Sequence, residues 1–141
     1  MNVLQLADAY LTDPDSPIRK LRYVTQEGYK HLLSRIVREM GDRELAAISA
    51  RDLLHAHAAW MAGGERVAMA HSLATMLRIV IGFGSTVLED ADCLRLRLLL
   101  AGLRFKNSQR RTIWLTADQA DFIRDEAIEN EYYCIALAQA F

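Results

Sequence analysis

The chain has 141 residues, of which 52% are hydrophobic and 25% are charged, and its formal net charge is −1. This composition is typical of a globular protein and excludes an intrinsically disordered chain. The N-terminus shows no basic segment followed by an apolar one, and no apolar run approaches the roughly 20 residues of a membrane span. We therefore expect a cytoplasmic protein without membrane contact, formed by one domain and part of a second.

The net charge hides an uneven distribution along the chain. From Arg19 to Arg111 there are 16 Lys or Arg against 9 Asp or Glu, whereas residues 116–141 carry one Arg against six acids. No acid occurs in residues 102–115, which contain four cations: Arg104, Lys106, Arg110 and Arg111. This abrupt change of sign indicates a boundary between two segments with different surroundings.

The first two predicted helices lie on either side of a breaker. Apolar residues from Val3 to Tyr10 have helical spacing, and "DPDSP" at 13–17 ends that helix. Thr25 is predicted to cap a second helix, which Gly41 closes. The apolar stripe of the second helix comprises Tyr29, Leu32, Leu33, Ile36, Val37 and Met40.

Two further helices follow in the middle of the chain. Ser49 and Asp52 form a capping box that opens a helix running to about Met61, and two glycines at 63–64 interrupt it. The next helix is predicted over about 65–82. Its inward residues are Ala70, Leu73, Leu77 and Val80, and Gly82 and Gly84 suit its C-terminal end.

The segment "EDADCLRLRLLLAGL" at 89–103 alternates like a strand but also fits a helix. Its acidic start favours the helix, because carboxylates stabilise helix N-termini. Beyond the basic stretch, Thr116 and Gln119 form a second capping box, which predicts a helix to about Ile128. Another helix is predicted from about Glu131. The sequence therefore predicts an all-α protein.

The search for catalytic and metal-ligating residues is negative. His55 and His57 are two residues apart on a predicted helix, so they point to different sides and cannot share a metal. We expect structural or surface roles for all four histidines, and buried free thiols at Cys93 and Cys134. No catalytic residue, metal site or cofactor is predicted for this chain.

Polar stripes on two predicted helices indicate a binding function instead. Their groups are those that contact DNA phosphates and base edges, although a solvated face is the alternative for either stripe. The cations of the basic stretch would follow a phosphate backbone. The predicted DNA-binding residues are Lys30, Ser34 and Arg38 on the first stripe, Arg66, His71, Thr75 and Arg78 on the second, and Arg104, Lys106, Arg110 and Arg111 in the stretch.

The order of these segments resembles the start of a tyrosine recombinase of the phage-integrase family. The first three helices of its core-binding domain are similar to "VTQEGYKHLLSRI", "LAAISARDLLHAHAAWM" and "RVAMAHSLATMLRIVIGFG". The fourth resembles "DADCLRLRLLLAGL". The linker and the opening of the catalytic domain resemble "RRTIWLTADQADFIRDEA", and "IALAQAF" occupies the place of the next helix. The resemblance covers roughly residues 20–141.

The resemblance implies four segments: an N-terminal segment (1–16), a four-helix core-binding bundle (17–103), a basic linker (104–115) and the incomplete start of a catalytic domain (116–141). The implied partners are double-stranded DNA and other recombinase protomers on that DNA, with no small-molecule substrate. The family's catalytic residues lie further along the chain, so we expect no enzymatic activity from these residues. Two alternatives remain: a helical adaptor that binds protein, and a small enzyme that uses His71 with acidic partners.

Overall fold

The computed structural model describes residues 1–105 and 115–134, which belong to two compact units, Met1–Ser108 and Gln109–Phe141. Within these ranges the regular secondary structure consists of α-helices and short 3₁₀ helices, and the only β contact is an isolated bridge between Asn2 and Glu44. The predicted all-α class is confirmed. The division between the units falls inside the predicted linker at 104–115.

The described part of the first unit contains five α-helices: α1 Val3–Thr12, α2 Tyr23–Met40, α3 Ala50–Met61, α4 Val67–Thr86 and α5 Ala91–Gly102. Short 3₁₀ turns occur at Pro17–Lys20, Leu45–Ala47 and Ala62–Gly64. Residues 17–103 supply α2 to α5. Residues 1–16, predicted as a separate segment, supply α1 to the same core. The second unit contains α6, Ala117–Glu129.

Helix α4 is central to the first unit, because α1, α2, α3 and α5 all pack against it. All four residues predicted to face inward are buried: Ala70, Leu73, Leu77 and Val80. Among the contacts with α1, the Tyr10 ring meets Phe83 edge to face, with centroids 5.4 Å apart. A helix surrounded in this way is apolar on most of its faces.

The composition of α4 corrects one sequence expectation. In the part of the chain that the structure describes, Val67–Thr86 is the single helix long and apolar enough to cross a membrane by length and composition. The expectation that no segment meets this criterion is therefore wrong. A core helix meets the same criterion, and half of the apolar window of α4 is buried inside the protein.

Side-chain caps begin several helices as the sequence predicts. The Ser49 N–H donates to Asp52 Oδ2 (2.9 Å), and the Asp52 N–H donates to Ser49 Oγ (3.3 Å). Thr116 and Gln119 form the same reciprocal pair at α6 (3.0 and 3.3 Å). At α5 the Cys93 N–H donates to Asp90 Oδ1 (2.8 Å), which agrees with the acidic start predicted for this helix.

The predicted start of α2 is wrong. Thr25 lies inside the helix, which begins at Tyr23, and Arg22 at the N-cap makes no side-chain capping bond. The Gln26 N–H already donates to the Arg22 carbonyl oxygen (3.0 Å), and the Gln26 side-chain amide donates to the Leu21 carbonyl oxygen (2.9 Å). The bond to the Arg22 carbonyl oxygen is the first of the helical series, so the helix begins at Tyr23, two residues before Thr25.

The predicted end of α4 is also wrong, since the helix continues past both glycines to Thr86. Gly84 is needed for close packing and not for helix termination. A Cβ at this position would collide with Cys93 Sγ and would lie 2.8 Å from Leu6 Cδ1. Gly84 therefore lets α1 and α5 approach α4 closely.

Candidate nucleic-acid interface

The predicted stripe on α2 is exposed, but part of its charge is neutralised. Lys30 Nζ lies 2.8 Å from Glu27 Oε1, and this hydrogen bond raises the pKa of Lys30. The Ser34 hydroxyl donates to the His31 carbonyl oxygen (2.8 Å). Arg38 forms no ion pair with a described residue. The α2 stripe therefore offers an anion little positive charge beyond Arg38.

Arg78, on α4, is held against the end of α5. It is half-buried, and its Nη2 donates to the Leu100 carbonyl oxygen (3.4 Å). Leu100 lies in the last turn of α5, where carbonyl groups lack intrahelical partners. A cation there is favoured by the helix dipole. The Arg78 Cζ atom also lies over the ring of Phe105, 5.0 Å from its centroid.

Arg78 lines two open pockets of the first unit. One, of about 260 Å³, is lined by His71, Arg78, Leu103, Arg104 and Phe105. The other, of about 200 Å³, is lined by Arg78, Arg97, Leu100 and Ala101. Cationic and imidazole groups from α4, α5 and the start of the linker thus meet at one surface, which we call the cation cluster: His71, Arg78, Arg97 and Arg104.

The arginines of the cation cluster are not neutralised by acids in the described ranges. Arg78, Arg97 and Arg104 take part in none of the ion pairs there. Arg97 instead donates to Ser85 Oγ (3.2 Å), and no acid lines either pocket. Positive charges gathered without counter-charges create a potential that attracts anions.

An aromatic pair lies beside the cation cluster. The rings of His57 and Phe105 stack with centroids 4.5 Å apart at 26°. His57 is 3% exposed, and its Nε2 has no hydrogen-bond partner among the described residues. Burial lowers the pKa of His57, and the positive charges of His71 and Arg78 lower it further. The imidazole is therefore neutral at physiological pH and serves as a flat packing surface.

The structure brings together three of the predicted DNA-binding residues around one pocket: His71, Arg78 and Arg104. It leaves Thr75 on α4 and Arg66, the residue before α4, exposed outside that pocket, and the α2 stripe does not line it. Lys106, Arg110 and Arg111 lie outside the described residues. The sequence argument missed Arg97, Phe105 and His57. Phe105 lies between two cations in "RFK", and an aromatic residue at such a position could have identified it as part of the site.

The histidines and cysteines show no arrangement for metal binding. Within residues 1–105 and 115–134 there is no group of three or more His, Cys, Asp or Glu that could hold a metal ion. His55 is exposed and His57 is buried, so they point to different sides as predicted. Cys93 is buried, and burial raises its pKa to about 12. Cys134 is exposed, which corrects the expectation that both thiols are buried.

Comparison with known proteins gives no match: no protein-family model, curated protein or solved structure is significantly similar to the chain. The function is therefore inferred from the residues and their geometry.

Proposed function

We propose that this chain is the DNA-binding portion of a site-specific tyrosine recombinase and that it holds duplex DNA for strand exchange. The observation that carries this proposal is the cation cluster. Its three arginines have no acidic partner among the described residues, and Arg78 and Arg104 share a pocket with His71. An anion would supply the missing counter-charge.

The chemistry of the cluster suits an anion with paired oxygens, such as the phosphates of DNA. Guanidinium groups donate in pairs to phosphate oxygens, and arginine outnumbers lysine 14 to 3 in this chain. Pockets that are open to solvent suit a polymer backbone better than an enclosed ligand, which needs a deep and mostly apolar pocket. Two exposed residues, Arg66 just before α4 and Thr75 on α4, would then reach base edges or neighbouring phosphates.

The basic linker extends the cation cluster along the chain. Arg104 is both a member of the cluster and the first cation of the linker, which continues with Lys106, Arg110 and Arg111. A linker of this kind would follow the duplex from the first unit toward the second. The assignment to tyrosine recombinases rests on the sequence resemblance. In this interpretation residues 116–141 open the catalytic domain, and these residues alone cleave no DNA strand.

The test is the salt dependence of duplex binding, measured by fluorescence anisotropy with a labelled duplex and the full chain. Each neutralised phosphate releases counterions, so the slope of log affinity against log salt should be about −0.9 per contact. We expect a slope of about −3 or steeper, since Arg78, Arg97 and Arg104 each offer one contact. Absence of duplex binding at low salt would contradict the proposal.

A protein-binding adaptor is the second candidate, and one observation favours it. On α5, Leu94 and Leu98 are 51% and 69% exposed and stand one turn apart. Apolar side chains at this spacing would fit between the side chains of a partner helix. The adaptor interpretation predicts no duplex binding, so the same anisotropy experiment separates the two candidates.

A further inference from the structure

We propose that Phe105 is the positioning residue of this phosphate site: its ring holds Arg78 and the start of the linker so that Arg78 and Arg104 contact the same stretch of DNA backbone. This inference rests on the proposed DNA-binding function and deepens it. It assigns a role to a residue that carries neither charge nor hydrogen-bonding group.

Partly buried and exposed side chains alternate where the chain leaves α5. Leu103 is extended, with φ −81° and ψ 130°. Leu103 and Phe105 are partly buried and pack against the core, whereas Arg104 between them is exposed. In an extended chain, successive side chains point to opposite sides. Anchoring Leu103 and Phe105 inward therefore fixes Arg104 outward, at the mouth of the pocket that it shares with His71 and Arg78.

The Phe105 ring contacts the Arg78 guanidinium. The guanidinium carbon lies 5.0 Å from the ring centroid, within the range of a cation–π interaction. The Leu100 carbonyl oxygen holds the same guanidinium through Nη2 (3.4 Å). Two anchors restrict a long side chain that would otherwise sample many rotamers. The entropy lost on phosphate binding is correspondingly smaller, which raises affinity without a new contact.

A buried histidine, His57, packs against the Phe105 ring. His57 is buried and stacks on that ring with 4.5 Å between centroids. Because burial keeps its pKa low, His57 adds no charge that would repel Arg78 at physiological pH. Phe105 therefore links α3, α4 and the linker through contacts with His57 and Arg78.

The test replaces Phe105 by Leu and by Tyr in the full chain. Leu keeps apolar packing against the core but removes the aromatic ring, so we expect duplex affinity to fall by up to about tenfold, the cost of immobilising one long side chain on binding. The salt slope should flatten by about 1, because one guanidinium is no longer held at the backbone. Tyr keeps the ring and should restore both values. The matched control is Phe122→Leu on α6, an exposed Phe whose replacement should change neither value.

The outcomes distinguish this inference from the proposed function. If the unmodified chain binds no duplex, the proposed function fails and the inference fails with it. If the unmodified chain binds but Phe105→Leu binds equally well with an unchanged slope, the inference alone is wrong. Should Phe105→Leu have a much lower melting temperature, Arg78→Lys replaces it, since Lys keeps the charge and lacks the planar guanidinium. Equal affinity for Arg78→Lys would then overturn the inference.

Discussion

At the scale of single residues, the capping box of α3 gives a direct test of the described geometry. Ser49 accepts a hydrogen bond from the Asp52 N–H, and Asp52 accepts one from the Ser49 N–H. The Ser49 hydroxyl also donates to Asp52 Oδ2 (2.6 Å), and this bond, the Ser49 N–H bond and nearby Arg43 lower the pKa of Asp52 to about 2. Ser49→Ala should lower the free energy of unfolding by about 1 kcal/mol, as for other N-cap residues. An unchanged denaturant midpoint would show that the cap does not stabilise the helix.

His57 makes the stability of the first unit depend on pH. Burial lowers its pKa below the ordinary 6.5, so the unfolded chain takes up a proton at a pH where the folded chain does not. The contribution of His57 to stability is therefore greatest above about pH 6.5 and decreases as the pH falls below that value. His57→Gln cannot take up this proton, so its free energy of unfolding should decrease less between pH 8 and pH 5.

The control for His57 is His55→Gln, on the same helix but exposed. Chemical denaturation at several pH values compares the two variants with the unmodified chain. The His55 variant should keep the pH dependence of the unmodified chain. If both variants follow the unmodified chain, then His57 is not protected from protonation in the folded state.

At the scale of elements, the two glycines of α4 should respond in opposite ways to alanine. At Gly84 a Cβ would collide with Cys93 and Leu6, so Gly84→Ala should lower stability by about 1–3 kcal/mol. At Gly82 a Cβ would meet nothing within 4 Å. Gly82→Ala should raise stability by up to about 1 kcal/mol, because alanine favours the helix. Thermal unfolding of both variants checks this, and equal effects would contradict the packing at Gly84.

Local signals in the sequence predicted most helices correctly. Apolar spacing identified the buried face of α1, where Val3, Leu6, Ala7 and Tyr10 are all buried. Capping boxes placed the starts of α3 and α6 within a residue. The errors at Thr25 and at the end of α4 share one cause, because a hydroxyl or a glycine was assigned its usual terminal role. The role of such a residue depends on partners that are distant in sequence. At position 84 only glycine leaves room for Cys93 and Leu6, and the local sequence does not show this packing.

The candidate site was only partly predictable for the same reason. Charge type and helical spacing selected His71 and Arg78, and the cation run selected Arg104. Lys30 was included although it pairs with Glu27. The two residues are three apart on α2, a spacing that favours ion pairs, so this pair was predictable from the sequence. Phe105 was missed because its role depends on α3 and α4, which are far from it in sequence.

At the scale of the whole molecule, we propose that the cation cluster and the basic linker hold duplex DNA. DNA binding would explain why positive and negative charges are unevenly distributed along the chain. The cation cluster and the basic linker would face the DNA, and the acidic residues of 116–141 would lie on the outer surface of the second domain. Net charge alone, at −1, would conceal this division.

The most direct measurement is the salt slope of duplex affinity for Arg110→Ala/Arg111→Ala against that of the unmodified chain. The control is Arg43→Ala/Arg124→Ala, which removes the same charge from two arginines that form ion pairs with Asp52, Asp121 and Asp125. We predict that the linker variant binds all duplexes more weakly and flattens the slope by about 2, whereas the control keeps the original slope. An unchanged slope for the linker variant would contradict the claim and favour the protein-binding adaptor.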